Sequence, residues 1–493
     1  MEKAVDTGSI ASTPDHQPAI SGAFRLIAAG AILQTIGETL ALGASGALPA
    51  GGALLIFSSV AGGVVLLWLA LWKVTRSPGA ATEEPQQVST AQPIRLRGLT
   101  RVGLLALLCL AALWTIATSG ALITQHPLDP SVYDSDAAAF IHYQAEDVLR
   151  GINPYTDEAG FWKAISQFPN AGATPLRRGQ FAGQAFSPDD ATVAALLQAS
   201  AQNPIRAGPE FDPASLHSYP AGSFLIALPF IWAGFSSTQP LYALSLLLLF
   251  GLLIHWTPQG WRWQTTLLLL SLSIPITLTL RSSFEVVCIL CIVVAWRSQA
   301  KRLWFSAALL GVGCSIKQLT WLFLPFYLIW ALRQRGWRAA AFAGSICLLV
   351  FCAINAPFLI ASPAAWASSM LLPISEPAFP GGVGLITLAQ GGWTPLFPAW
   401  VYTALESAAY LGALGWYSAR QLRREASGKM GFDMSAWGVF LALLPLFLGS
   451  RSLISYTMFL PILALAAIFQ QDSLQHHSVR SPLEVQKGGA AHL

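Results

Sequence analysis

Charge is what this chain has least of. Asp, Glu, Lys and Arg together make up 11% of its 493 residues, against roughly a quarter in soluble domains. With 54% hydrophobic side chains and a mean hydropathy of +0.54, that shortage excludes a water-soluble globule. Cysteine is also scarce: Cys109, Cys288, Cys291, Cys314, Cys347 and Cys352 are all there are, each inside an apolar run. A disulfide framework is therefore not expected, and the spacing of Cys288 and Cys291 reads as helix packing rather than metal ligation. No strong excess of one charge exists, since 28 Lys+Arg stand against 24 Asp+Glu. That excludes nucleic acid as the expected partner. A cleavable signal peptide is not evident either, because residues 1–22 are polar and no clear small-residue cleavage site follows, so the first helix is expected to be an uncleaved anchor.

What is present is a series of apolar runs punctuated by short basic clusters. A bilayer-spanning helix needs about 20 mostly apolar residues, because lipid offers the backbone no hydrogen-bond partners. Candidates run over 24–45, 52–72 and 102–123. The linker between the second and third carries Lys73, Arg76, Arg95, Arg97 and Arg101, and basic loops face the cytoplasm. Residues 124–216 then emerge on the far side. Further clusters at Arg297/Lys301/Arg302, Arg333/Arg335/Arg338 and Arg420/Arg423/Arg424/Lys429 must each enclose an even number of crossings. The stretch 303–332 is thus expected to go out and return, bent near Lys317 and Pro325, and 217–297 to hold one re-entrant or short edge helix. The expectation is an all-α polytopic membrane protein of about 12 passes, divided into a cytoplasmic tail 1–23, a transmembrane hairpin 24–73, a basic linker 74–101, a main module 102–470 and a cytoplasmic tail 471–493.

The loop 124–216 is the one long polar insertion, with eleven of the 24 acids and five of the 28 bases. Loops longer than about 12–15 residues are usually functional or disordered. In its first half Tyr133-Asp134-Ser135-Asp136 precedes a run from Ala137 to Arg150 at near-helical spacing, closed by Gly151-Ile152-Asn153-Pro154-Tyr155. This pattern predicts an amphipathic helix at the membrane surface. Gly160–Pro213 has no clear periodicity and is expected to be a lid or a poorly ordered insertion. Asp134 and Asp136 either cap the helix or supply a general base; as a metal site, two acids without a third partner are weak. Arg281, Lys317 and Arg451 adjoin long apolar runs and, by parity, share the outer face. Each either snorkels to headgroups or helps to hold a lipid-anchored phosphate. Glu285, four residues after Arg281, offers an alternative partner for it. His217, Tyr219 and Pro220 stand where the loop re-enters the membrane, and His217 either donates to a phosphate or sugar hydroxyl or solvates a helix start. Trp393 and Tyr402 are candidates for stacking on a sugar.

At these residues the chain resembles the GT-C class of integral membrane glycosyltransferases, nearest to the polyprenyl-phosphate-mannose-dependent mannosyltransferases and related uncharacterised bacterial membrane proteins. The resemblance is carried by Asp134-x-Asp136 after an early membrane helix, Tyr143/Ala145 through Leu149-x-Gly151-x-Asn153-Pro154-Tyr155, and Ser218-Tyr219-Pro220. Further along, Lys317-Gln318 precedes Leu324-Pro325, and Arg451 through Tyr456 precedes Leu460-Pro461. It spans about residues 130–465, leaves out the hairpin 24–72, and departs at the long insertion 160–213 and at Tyr219-Pro220-Ala221, which lacks a second proline. The resemblance implies a GT-C-like helical bundle in the plasma membrane of a cell envelope, with its active site facing the extracytoplasmic side. It implies a polyprenyl-phosphate-linked sugar, mannose-like, as donor and a lipid or glycan as acceptor. Asp136 would be the catalytic base with Asp134 in reserve; Lys317, Arg451, Arg281 and His217 would hold the donor phosphate. Tyr219, Asn153, Tyr155, Gln318 and Trp393 would line the substrate site. No cofactor or metal is expected. The rival expectation is a carrier or flippase of lipid-linked or anionic solutes, although no internal repeat of the kind such folds use is apparent. A catalytically inactive relative acting as an assembly partner is a third.

Overall fold

The structure is a computed structural model. It describes residues 17–44, 48–76, 94–125, 133, 135–169, 171, 174, 176–178, 182, 190–208, 211–212, 215–375, 380–427 and 435–469. The architecture is helical, and among the described residues the strands amount to one parallel pair, β1 (Gly381–Gly382) with β2 (Arg451–Ser452). Among the described residues five helices are long and apolar enough to cross a bilayer: Ser21–Gly43, Ala50–Val74, Val102–Thr124, Gln239–Trp256 and Trp337–Ala361. A sixth span results if Gln259–Ser271 and Ser273–Leu280, bent by 58°, are taken together. This is a membrane protein, with lipid-compatible length in some helices and short, broken apolar helices in others. Leu303–Ile316, Trp437–Leu448 and Ile454–Phe469 are of the shorter kind.

The N-terminal helices α1 (Gln17–Gly43) and α2 (Ala50–Arg76) form a tight hairpin. Glycines permit the approach: a Cβ on Gly30 would sit 2.8 Å from the carbonyl oxygen of Gly63, and one on Gly63 would sit 2.7 Å from that of Gly30. Small residues serve this purpose in membranes, where association rests on close packing rather than on water exclusion. The hairpin also joins the rest of the bundle. Ala23, Phe24 and Ile27 of α1 belong to the main core with Leu249, Trp296 and Phe459. Ile56 and Val60 of α2 form a smaller core with Val383, against which Phe447 and Ile454 pack. The third helix is α3 (Ile94–Gln125).

Breaks in the later helices follow the sequence. Helix Leu303–Ile316 ends at Lys317, whose backbone is extended; a 3₁₀ stretch Gln318–Phe323 follows, and helix Leu324–Arg335 starts again with Pro325 in its first turn. Proline fits there because its missing N–H has no intrahelical acceptor in a first turn. In 217–297 the chain makes the short helices Gly222–Leu225 and Leu228–Trp232, the long Gln239–Trp256, the bent pair and then Glu285–Ser298.

Candidate functional site

The helix read from residues 137–150 is α4 (Asp136–Leu149). Ser135 is its N-cap and its hydroxyl accepts the N–H of Ala138 at 3.3 Å. The capping role weighed for the acids thus falls to Ser135; Asp136 occupies the first helical position, and Asp134 lies outside the described residues. At the far end Gly151 takes φ +76°, where its N–H meets the Val148 carbonyl at 3.0 Å and the Ile152 N–H meets the Asp147 carbonyl at 2.8 Å. This is a Schellman cap, which favours glycine because no Cβ opposes the left-handed turn. The helix does not lie open on a surface. Ala138 through Ala145 are buried, between α5 (Gly160–Gln167) with its aromatic packing and the short helices 222–232. Tyr133 fixes the entry to α4: its buried hydroxyl lies 2.7 Å from His142 Nδ1 and accepts the Thr238 N–H at 2.8 Å.

Both oxygens of Asp136 are engaged. Oδ1 accepts the N–H of Ala137 and Oδ2 that of Thr174, each at 2.7 Å. A carboxylate has about four acceptor sites, so room for a further donor remains. The Thr174 hydroxyl accepts Nη2 of Arg451 at 2.9 Å. One threonine therefore ties the acid of α4 to an arginine 277 positions from that threonine in sequence. Arg451 itself is fixed by β2. Gly381 N–H donates to Ser450 O, Val383 N–H to Ser452 O, and Gly384 N–H to the Ser452 hydroxyl. Only glycine fits here: at Gly382, with φ +135°, a Cβ would lie 2.1 Å from Ser452 O.

Lys317 stands in a different setting. It is buried and forms an ion pair with Glu285, whose other oxygen accepts the Ser283 hydroxyl at 2.5 Å. The ammonium lies 4.5 Å from the ring centre of Phe284, 5.2 Å from that of Tyr456 and 5.5 Å from that of Tyr219. Cations favour such faces. Glu285 thus serves Lys317, not Arg281 as an i,i+4 partner: helix Ser273–Leu280 stops at Arg281, and the turn through Ser282, at φ +71°, separates the two residues before Glu285 opens a new helix.

Tyr219 reaches this group because Gly222 lets the chain after the long loop press onto the segment before Lys317. A Cβ on Gly222 would sit 2.5 Å from Ser315 O. Gln318 donates to the Ser218 carbonyl, and Tyr155 donates to the Tyr219 carbonyl at 3.0 Å. Asp136, Thr174 and Arg451 make up one linked set; Tyr456, five residues after Arg451, belongs to a second with Lys317, Glu285, Tyr219 and Gln318. His217 adjoins this second set inside a box of Phe140, Tyr155, Tyr219 and Phe224. Burial pushes its pKa down to about 3, so it contributes a neutral imidazole and no positive charge.

Four predicted residues stand outside these linking contacts. Arg281 is exposed at its helix end. Asn153 is spent on the turn after α4, its Oδ1 accepting the Tyr155 N–H at 3.1 Å. Trp393 donates its indole N–H to Ala50 O at 2.6 Å and so ties its loop to the start of α2; Tyr402 is buried against Phe397. Sequence reasoning missed Thr174, which carries no signal, and the true partner of Glu285. The latter had one: Glu285 is the sole acid between Asp212 and Glu376, and a lone acid in an apolar stretch needs a polar or charged partner.

The chain matches no protein-family profile, no curated protein and no solved structure.

Proposed function

We propose that this protein is a membrane glycosyltransferase of GT-C-like architecture, with about 12 passes, that moves a mannose-like sugar from a polyprenyl-phosphate carrier to a lipid or glycan acceptor on the extracytoplasmic side of the plasma membrane. The observation that carries this proposal is the Asp136–Thr174–Arg451 bridge: a proton acceptor and a cation that are remote in sequence meet around one threonine. In the proposed step the acceptor hydroxyl attacks the anomeric carbon as its proton passes to Asp136. The bond from that carbon to the carrier phosphate breaks, and the electron pair leaves on the phosphate oxygen, beside Arg451. A single displacement of this kind inverts the anomeric configuration. Arg451 is the better anion ligand of the two central cations, because its partner here is a neutral hydroxyl while the charge of Lys317 is offset by Glu285.

A lipid-borne donor is further supported by a cavity of about 340 Å³ between α2 and the helices Ala399–Ser427 and Ser435–Leu441. Its walls are almost wholly apolar and include Val64, Trp68, Trp416, Leu441, Phe447 and Leu448. The last two are within a few residues of Arg451, so one chain segment joins an apolar hollow to a cation. Membranes carrying wild-type protein, supplied with a panel of radiolabelled polyprenyl-phosphate sugars, are expected to pass label into lipid or glycan. Asp136→Asn is expected to cut that rate by roughly 10²–10⁴-fold. Transfer at the wild-type rate by the Asp134→Asn/Asp136→Asn double variant would rule the proposal out. The second reading, a carrier of lipid-linked anions, draws on the buried Glu285–Lys317 pair, since ion pairs in membranes often line transport paths. It predicts movement of label across vesicle membranes with no new glycosidic bond.

A further inference from the structure

The N-terminal hairpin contains one buried acid, Glu38, the sole acid between Asp15 and Glu83. Its Oε1 accepts two hydrogen bonds, from Gln34 Nε2 and from the Thr457 hydroxyl, both at 2.8 Å. Gln34 Nε2 also donates to the Thr457 carbonyl at 2.5 Å. Gln34, Glu38 and Thr457 are all buried, and more than 400 positions separate the two helix residues from the threonine. Thr457 follows Tyr456, whose ring covers Lys317, and it ends the segment that begins with Arg451. Around this polar knot the hairpin makes apolar contact with the same segment and the residues before it, as Ile454 and Phe447 pack against the cluster of Ile56 and Val60. Glu38 Oε1, Gln34 Nε2 and the Thr457 hydroxyl are paired within this buried trio, while Gln34 Oε1 has no hydrogen-bond partner among the described residues; buried polar groups are costly when their bonds are lost.

We propose that Glu38 is a positioning residue: through Thr457 it fixes the Arg451–Thr457 segment, so that the N-terminal hairpin is a working wall of the site and not only an anchor. The fixing follows from the contacts alone; its bearing on donor binding rests on the function proposed above. Glu38 acts here as a hydrogen-bond acceptor, which an amide oxygen can replace. Its charge is not required for the role.

The test uses the full-length protein in lipid nanodiscs with two readouts, amide hydrogen exchange over residues 450–458 and binding of undecaprenyl monophosphate. Glu38→Ala is expected to raise exchange at 450–458 by about five- to thirty-fold, the factor carried by one or two lost buried hydrogen bonds. Exchange over α4 is expected to stay as in the wild type. Undecaprenyl phosphate binding is expected to weaken over the same range, and Glu38→Gln to restore both readouts. Thr457→Val removes the same hydroxyl with little change of volume and is expected to match Glu38→Ala, which covers the case in which the alanine variant fails to fold. Unchanged exchange at 450–458 in Glu38→Ala and Thr457→Val overturns the inference, and so does a Glu38→Gln variant as impaired as the alanine. A wild-type protein that does not bind undecaprenyl phosphate counts against the proposed function instead, while the exchange data still decide the role of Glu38.

Discussion

Lys317 and Arg451 look alike in the sequence, each a lone cation at the end of an apolar run, yet the fold treats them differently. Lys317 is enclosed, paired with Glu285 and faced by three aromatic rings. Arg451 is half-buried, held by a two-residue strand, and bonded to a neutral threonine that also serves Asp136. A buried ion pair carries a desolvation penalty that its attraction only partly offsets, so removing one partner is far worse than removing both. A cation with a neutral partner has charge left for a ligand. The contrast separates a cation neutralised inside the fold from one whose bonded partner carries no charge.

The contrast breaks most visibly at the pair. Lys317→Met is expected to lower the stability of the detergent-purified protein by about 3–5 kcal/mol, read as a drop in thermal midpoint. Glu285→Leu combined with Lys317→Met is expected to recover most of it; equal loss in the double variant would mean that the pair is not the cause. Arg451→Gln sharpens the other side. It is expected to leave the thermal midpoint nearly unchanged while cutting sugar transfer by roughly 10²–10³-fold, the cost of losing one charge-stabilising donor. If Arg451→Gln unfolds the protein and Lys317→Met spares it, the two roles are reversed.

His217 gives a smaller, pH-dependent effect in the aromatic box next to Lys317. Its ordinary pKa of 6.5 is depressed to about 3 by burial. Between these values the unfolded chain binds a proton that the folded chain refuses, so stability is full above pH 6.5 and declines as pH falls. At pH 5 the loss attributable to this residue is about 2 kcal/mol. His217→Phe is expected to flatten that part of the midpoint-versus-pH curve, measured against wild type; parallel curves would remove His217 as the source. Smallest is Ser135→Ala, which deletes the cap of α4 and is expected to cost about 1 kcal/mol, with a partial loss of transfer because Asp136 follows immediately.

Much of the frame was legible because it depends on local chemistry. Periodicity over 137–150 and the Gly151-Ile152-Asn153-Pro154 ending predicted α4 to within a residue at each end, since caps and glycine turns act over four or five positions. The interruption at Lys317 and the restart at Pro325 were legible for the same reason. Less so was the number of long helices: apolar content says that a segment prefers lipid, but whether it is unbroken, as Gln239–Trp256 is, or bends by 58° near Leu272 is decided by what it packs against. That Ala138 through Ala145 of α4 are all buried, between α5 and the short helices 222–232, was likewise decided by packing.

The composition and the spacing of apolar runs and breaks determined by themselves that this is a helical membrane protein with a polar loop after its third long helix, because burying apolar surface and pairing backbone groups in lipid are demands that every segment meets on its own. Which charges meet was decided only by the tertiary structure. Thr174 between Asp136 and Arg451, Glu285 under Lys317, and Glu38 against Thr457 are pairings across tens to hundreds of positions, and a buried charge takes whichever partner the packing brings within reach.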